Sequence, residues 1–203
     1  ERVAIDSLPR SGHYQIAWHI VRTPMTTGKL LDETATLLIG KSILNVKPGK
    51  RRLTIVNGGQ TGVDRAALDS AMHLMLPCRG WCPNERWAED DAIAAVYPLQ
   101  ECGSATPAVR TELNTIDSDG TLVLSRGNPQ DGTPLTVERA KLHGKPTLEL
   151  NLDESPDVDA FWAWINKHDI RILNIGGPRE SFAPGAVYAP TRKVLDLILD
   201  PTA

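Results

Sequence analysis

The 203-residue chain is long enough to bury one substantial core, and its composition, 41% hydrophobic and 23% charged, is typical of a globular protein. A formal net charge of −3 at pH 7 gives no general attraction to nucleic acid or to an anionic membrane, so an anionic ligand needs a local cluster of donors. Three cysteines make no disulfide framework and no apolar run reaches the length of a membrane span, so we expect a cytoplasmic protein with a small-molecule partner.

Residues 1–50 differ in pattern from the rest of the chain. The stretch "HYQIAWHIV" alternates apolar and polar residues, which favours a strand with one buried face, and "NVKPGKRR" is typical of a linker. A segment of this length is too short to make a good core. We therefore predict an N-terminal accessory segment over 1–50 and one ligand-binding domain over 51–203. Because the chain begins at Glu1, we also expect residues upstream of it.

From Arg52 onward, short apolar runs alternate with amphipathic patterns of helical period. The predicted strands are "LTIVNGG", "GTLVLS", "PTLELN" and "RILNIGG". The predicted helices are "TGVDRAALDSAMHL", "TPAVRTELNTIDSD", "PLTVERAKLHG", "DVDAFWAWINKH" and "GAVYAPTRKVLDLIL". This alternation predicts an α/β fold, a Rossmann-like three-layer sandwich with a mostly parallel sheet. The intervening stretch fits less cleanly, and we predict a short strand at 76–79, a loop, and a helix near 88–95.

Glycine-rich turns follow the predicted strands, at the edge of the sheet where open parallel sheets bind ligands. Glycine lets the backbone approach an anion, and the free amides of a following helix supply donors. Neither a Walker loop nor GxGxxG is present. In the alternative interpretation, the glycines only form tight turns, and Thr61 and Asp64 only cap a helix. The turns contain Gly58, Gly59, Gln60, Thr61 and Gly62, then Gly132 and Thr133, and finally Gly176, Gly177 and Pro178.

Arginines near the predicted strand ends are candidates for binding an oxyanion through two hydrogen bonds. They are Arg110, Arg126 and Arg179. The stretch "NTIDSDG" adds Asn114, Asp117, Ser118 and Asp119, which offer donors and acceptors to the edge of a ring. Each of these residues equally fits a solvated turn or a helix cap. The cysteines and histidines lack the spacing of a metal site, and Ser181 has no GxSxG elbow, so we predict neither a metal site nor a nucleophile.

The sequence resembles the circularly permuted YpsA-like branch of the SLOG superfamily, whose members are described as molybdenum cofactor carrier proteins. The resemblance spans residues 52–200 in order. It is carried by "IVNGGQTGVDRAALDSA", by "GWCPNERWAEDD" with "YPLQE", by "RTELNTIDSDGTLVL" with "GTPLTVERAKLHGKP", and by "LNIGGPRESFAPGAVY". The superfamily also contains phosphoribohydrolases of the LONELY GUY type, which are lysine decarboxylase-like, and members that sense nucleotide-derived signals.

The resemblance implies a Rossmann-like homo-oligomer, a dimer or tetramer, that binds a phosphorylated pterin or nucleotide at the strand ends. In the carrier proteins this ligand is the molybdenum cofactor, molybdopterin. We expect no catalytic residue and no metal ligand. The predicted ligand-binding residues are Gly58, Gly59, Gln60, Thr61, Gly62, Arg110, Ser118, Asp119, Gly132, Thr133, Thr136, Gly176, Gly177, Arg179, Glu180 and Ser181.

One departure from the superfamily pattern bears on catalysis. Hydrolase-type members carry PGGxGTxxE, whose glutamate assists the reaction, whereas here "NPQDGTPLTVE" places Thr136 at that position. Glu138 is two residues late, about 200° around a helix. The missing acid favours a carrier or sensor. The alternatives are a nucleoside 5′-monophosphate phosphoribohydrolase that uses Asp64, Asp119 or Glu180, and a regulatory module whose residues 1–50 contact a partner chain.

Two side chains receive specific predicted roles. A pterin has a donor edge formed by its 2-amino and ring N–H groups, and a carboxylate can accept two hydrogen bonds from it. We expect Asp119 to do so, with Asp117 as the second choice. Arg179 follows two glycines and a proline at a strand end, and we expect its guanidinium to contact a phosphate or molybdate oxygen.

Overall fold

The computed structural model describes residues 47–127 and 133–202, and the account below is confined to them. Most of the predicted N-terminal segment, residues 1–46, lies outside the described residues, so the division into domains stays a prediction. The strands are β1 Thr54–Val56, β2 Cys78–Cys82, β3 Trp87–Ala88, β4 Asp91–Ala92, β5 Leu99–Glu101, β6 Gly120–Ser125, β7 Thr147–Asn151 and β8 Ile172–Gly176. The helices are α1 Val63–His73, α2 Pro107–Ile116, α3 Thr133–Leu142, α4 Val158–Lys167 and α5 Tyr188–Ile198, with short 3₁₀ turns at Asn84–Arg86 and Glu180–Phe182.

Six of these strands form one sheet in the order β5-β2-β1-β8-β6-β7. Every neighbouring pair in it is parallel. The β3–β4 pair is a separate antiparallel hairpin. From β1 the chain moves to β2 and β5 on one side, and the later strands fill the other side. The turns after β1 and β8 therefore lie side by side where the direction of winding reverses, the usual ligand position in such sheets.

The helices cover both faces of the sheet because the crossover connections run in two directions. Parallel crossovers are right-handed, so the face that a helix covers depends on the direction of its crossover along the sheet. The crossovers from β1 to β2 and from β7 to β8 run toward the β5 edge, and they place α1 and α4 on one face. The crossovers from β5 to β6 and from β6 to β7 run toward the β7 edge, and they place α2 and α3 on the other face. Helix α5 packs against α1 and α4, and α2 packs against α3. The predicted α/β three-layer fold is confirmed. No helix in the described part of the chain combines the length and apolarity needed to cross a membrane.

The core explains why the apolar runs form these elements. Leu122 and Leu124 on β6 and Leu173 and Ile175 on β8 are fully buried, as expected for central parallel strands covered on both faces. Helix α4 contributes the buried ring of Phe161, so the aromatic run "FWAW" packs against the sheet. Burying each such apolar side chain contributes about 1.5–3 kcal/mol.

The segment between β2 and β5, residues 83–98, differs from the prediction. The expected strand at 76–79 begins two residues later, and the expected helix near 88–95 is wrong, because residues 87–92 form the β3–β4 hairpin. Glu85 and Arg86 have φ of +59° and +52°, which breaks helical continuity. The Arg86 guanidinium then donates hydrogen bonds of 2.8–3.0 Å to the carbonyls of Ile93, Ala94, Tyr97 and Leu99. The loop is therefore organised around one arginine side chain.

Candidate functional site

A cleft of about 480 Å³ opens at the carboxyl edge of the sheet. Three segments line it: the turn between β1 and α1, the tip of the β3–β4 hairpin, and the segment between β8 and the first turn of α5. The lining residues are Thr61, Gly62, Arg65, Glu89, Asp90, Glu180, Ser181, Pro184 and Tyr188. The cleft brings together two of the three predicted glycine turns. The third lies partly in residues 128–132, so Gly132 is outside the described residues and only the backbone of Thr133, at the start of α3, is described.

The amides of the first turn are hydrogen-bonded within the protein. The Asn57 side chain accepts a hydrogen bond from Gly59 N at 3.0 Å and donates one to the carbonyl of Asp64 at 2.9 Å. Gln60 N donates to the Asp64 carboxylate at 3.3 Å, and Thr61 N donates to the Gln60 side-chain oxygen at 3.0 Å. The turn was predicted to offer free amides to a phosphate, but in this arrangement these three amides already have acceptors.

Gly62 holds the two turns in direct contact, and Gly177 lets the second turn pass close to β6. Gly62 has φ +70° and ψ −122°, and a Cβ there would lie 2.5 Å from the carbonyl oxygen of Pro178. Val63 N donates to that same oxygen at 3.1 Å. A Cβ on Gly177 would lie 2.5 Å from the carbonyl oxygen of Leu124. These glycines are needed because backbone approaches backbone, which a side chain prevents.

A buried ion pair lies beneath the first turn. Arg110 Nη1 is 3.1 Å from Asp64 Oδ2, and the two side chains are 18% and 6% exposed. Burial raises the pKa of Asp64, although the charge of Arg110 and the amide of Gln60 oppose the rise. A Cβ on Gly58 would collide with the Arg110 guanidinium. Arg110 was predicted to bind a ligand anion, but the structure directs it to Asp64, where it supports the turn from below.

Glu89 links the cleft-lining turns, and sequence reasoning did not select it. Its carboxylate accepts hydrogen bonds from Ser181 N at 3.0 Å, from Ser181 Oγ at 2.6 Å, and from the Thr61 hydroxyl. Arg179 Nε lies 3.9 Å from Glu89 Oε2. Burial opposes the charged form of Glu89, but the hydrogen bonds from Ser181 and Thr61, together with the positive charge of Arg179, outweigh burial and lower its pKa. The acidic run "AEDD" after β2 was the available signal.

Glu180 and Asp69 connect the cleft to α5. The Glu180 carboxylate accepts a hydrogen bond from Tyr188 N at 2.8 Å, so it caps the first turn of the helix. Asp69 on α1 accepts hydrogen bonds from the hydroxyls of Tyr188 at 2.6 Å and Tyr97 at 2.9 Å. Burial raises the pKa of Tyr97 to about 12, and its hydrogen bond to Asp69 adds to the rise. These contacts tie α1, α5 and the 83–98 loop together around the cleft.

Thr136, at the position of the hydrolase glutamate, lies on α3 and is buried. A Cβ on Gly176 would lie 3.3 Å from the Thr136 methyl group, so the first turn of α3 packs closely against the end of β8. No carboxylate therefore occupies this position. Within the described ranges, no group of three or more His, Cys, Asp or Glu side chains is arranged to hold a metal ion.

Ser118 and Asp119 lie at the edge of the sheet opposite to the cleft. Both precede β6, and a residue before a parallel strand lies at the edge of the sheet opposite to a residue after one. The Asp119 carboxylate accepts hydrogen bonds from Arg171 N at 2.9 Å and Ile172 N at 2.8 Å, which joins β6 to β8. The Ser118 hydroxyl donates to the carbonyl of Thr115. Neither residue lines the cleft.

The remaining predicted residues divide between the cleft and the scaffold. Asp117, the second choice for the ring edge, accepts a hydrogen bond from Trp81 Nε1 at 2.8 Å and does not line the cleft. Arg126 donates to Asp153 at 2.9 Å and to the carbonyl of Ala186 at 2.7 Å, so it fastens the chain before α5. Thr61, Gly62, Glu180 and Ser181 do line the cleft.

Comparisons with known proteins agree with this architecture. The family model described as "Circularly permutated YpsA SLOG family" matches residues 55–199. A solved structure described as a "Putative molybdenum carrier protein", from Syntrophus aciditrophicus SB, is 40% identical in sequence, with a TM-score of 0.70. The similarity covers 74% of this chain and 97% of that protein. No curated protein sequence matches the chain.

Proposed function

We propose, from the premise that the chain belongs to the circularly permutated YpsA SLOG family, that it binds a phosphorylated small molecule in the cleft and carries the molybdenum cofactor. The observation that carries the proposal is the cleft itself, which lies where the winding of the sheet reverses and is lined by hydroxyl and charged side chains. Its volume of about 480 Å³ falls in the range of small-molecule sites. The similar protein from Syntrophus aciditrophicus SB, described as a "Putative molybdenum carrier protein", supports the choice of ligand.

The donors of the cleft suit an oxyanion. Thr61 and Ser181 present hydroxyls and a backbone N–H that already bind carboxylate oxygens, and Arg179 adds a positive charge. We assign the terminal phosphate or a molybdate oxygen of the ligand to these groups. The ring of Tyr188 and the side chain of Pro184 provide an apolar wall for the pterin.

The absence of an acid at Thr136 supports a binding role over hydrolysis. That side chain is buried against Gly176 and carries no carboxylate. Glu180, one of the acids proposed from the sequence, uses its carboxylate to cap α5. A nucleoside monophosphate hydrolase remains the competing function, because Glu89 and Asp90 still line the cleft. Incubation of the protein with nucleoside 5′-monophosphates, followed by chromatography for released base, distinguishes the two functions.

Native mass spectrometry of the freshly purified protein tests the proposal. We expect a bound mass equal to molybdopterin or its molybdenum form, which oxidation should release as a fluorescent pterin. We also expect a homo-oligomer, and the same spectra give its number of subunits. Preparations without bound pterin that also fail to bind added molybdopterin would contradict the carrier function.

A pair of arginine variants locates the ligand. Arg179→Ala removes the cation beside Thr61 and Ser181, and loss of one charge-assisted hydrogen bond should weaken molybdopterin binding by about ten- to a hundredfold. Arg126→Ala removes an arginine that contacts Asp153 and Ala186, so it is the matched control. Isothermal titration should show the loss for Arg179→Ala alone. Equal affinities for the two variants would remove Arg179 from the site.

A further inference from the structure

We propose that the Glu89 carboxylate occupies the oxyanion subsite of the cleft, so that a ligand's phosphate or molybdate group binds only by displacing it from Thr61 and Ser181. The location of this subsite rests on the proposed function. The ligand class at the subsite is a tetrahedral oxyanion, and the Glu89 side chain competes with it for the same donors.

The contacts of Glu89 have the pattern of a bound anion. Its two oxygens receive three hydrogen bonds, two from Ser181 and one from Thr61. The guanidinium of Arg179 lies beyond them at 3.9 Å. These donors belong to the turns after β1 and β8, whereas Glu89 belongs to the hairpin. Two oxygens of a phosphate present the same acceptors to the same donors.

The donors are arranged for negative charge. The Thr61 hydroxyl accepts a hydrogen bond from Glu180 N at 3.0 Å, which directs its proton toward Glu89. The pKa of Glu89 is lowered although burial opposes ionisation, so the surrounding groups stabilise an anion at this point. A dianionic phosphate or molybdate carries more charge than the carboxylate, and it should compete where a neutral ligand cannot.

The hairpin can release the carboxylate without unfolding. Arg86 fixes the base of the loop through four backbone carbonyls. Glu89 N donates to the Gln60 side chain at 3.0 Å, and Arg65 pairs with Asp90 at 3.2 Å. These contacts hold the backbone of the tip in place. Rotation about the side-chain torsions of Glu89 is then enough to move its carboxylate into the open cleft.

Inorganic phosphate and molybdate test the proposal without any pterin. Glu89→Ala removes the competing anion and leaves the donors, so its affinity for both ions should exceed that of the wild type by about tenfold or more. Glu89→Gln keeps an acceptor oxygen but loses the charge, and its affinity should lie between the two. Glu154→Ala is the matched control, because Glu154 is exposed and its carboxylate accepts a hydrogen bond from Asn151, away from the cleft. Isothermal titration and thermal shift measure the affinities.

A second substitution tests whether the increased oxyanion affinity depends on the Ser181 hydroxyl. Adding Ser181→Ala to Glu89→Ala should reverse most of the increase in oxyanion affinity, since it removes one of the proposed donors. If Glu89→Ala does not fold, the phosphate affinity of Glu89→Gln tests the proposal in its place. Unchanged phosphate affinity in the folded Glu89 variants would overturn the proposal and make Glu89 a structural link between the turns. Because no pterin is used, failure of this test is distinct from failure of the carrier function.

Discussion

Replacing Gly62 with alanine tests whether the turns after β1 and β8 depend on backbone contact. The φ of +70° with ψ of −122° is unfavourable for any residue with a Cβ, at a cost of about 1–3 kcal/mol. The added Cβ would also lie 2.5 Å from Pro178 O and 2.8 Å from the backbone of Arg179 and Glu180. Because backbone atoms cannot rotate away as a side chain can, relieving this overlap adds about 1–3 kcal/mol. The free energy of unfolding should therefore fall by about 2–6 kcal/mol.

Gly144→Ala separates the two contributions to this loss. Gly144 also has positive φ, +62°, but a Cβ there would meet no atom within 4 Å. This control should cost only about 1–2 kcal/mol. Urea denaturation followed by circular dichroism measures both variants, and the contact contribution of about 1–3 kcal/mol should lower the melting temperature of Gly62→Ala by about 2–12 °C relative to Gly144→Ala. Equal losses would refute the close contact of the two turns.

Three further predictions concern the scaffold of the protein. Arg110→Ala leaves the Asp64 carboxylate buried without its cation, so we expect about 3–5 kcal/mol of destabilisation, and adding Asp64→Ala should recover part of it in urea titrations. The folded-state pKa of Glu89 lies below its ordinary 4.5, so its ionised form stabilises the protein above about pH 4.5 and this contribution disappears as the pH falls through the lower folded-state pKa. Denaturation at pH 7 and pH 3 should show a smaller stability advantage of wild type over Glu89→Gln at pH 3 than at pH 7, and a difference independent of pH would contradict this. Asp119→Ala removes acceptors for two backbone amides, so we expect about 1–3 kcal/mol of destabilisation with unchanged molybdopterin affinity, whereas a loss of affinity alone would return Asp119 to the site.

Most of the sheet and its helices could be predicted because their signals are local. The apolar runs at 120–125 and 172–176 became central strands, and the helical periodicity of 63–73 and 188–198 became α1 and α5. The 83–98 loop could not be predicted in this way. Its shape depends on the Arg86 guanidinium reaching carbonyls up to thirteen residues away, and no periodic pattern encodes such contacts.

The candidate site was predicted in part. The glycines after β1 and β8 indicated where two turns meet, and the family resemblance is confirmed by the match over residues 55–199. Asp119 was expected beside the glycine turns, but it precedes β6, and parallel strands put positions before and after them at opposite edges of the sheet. Glu89 was missed because its importance comes from Thr61 and Ser181, which are 28 and 92 residues away in sequence and meet it only in the folded chain.

The place of β8 in the sheet has a consequence for synthesis on the ribosome. This strand is the last to be made, yet it lies between β1 and β6 in the middle of the sheet. Until residues 172–176 emerge, the other strands of this sheet are limited to the partial sheets β5-β2-β1 and β6-β7, each with an unpaired inner edge open to other chains. Ser181 and Tyr188 emerge later still, so the cleft is incomplete until both residues have been synthesised. A product that terminates before Ile172 would expose two strand edges to aggregation and have no binding site.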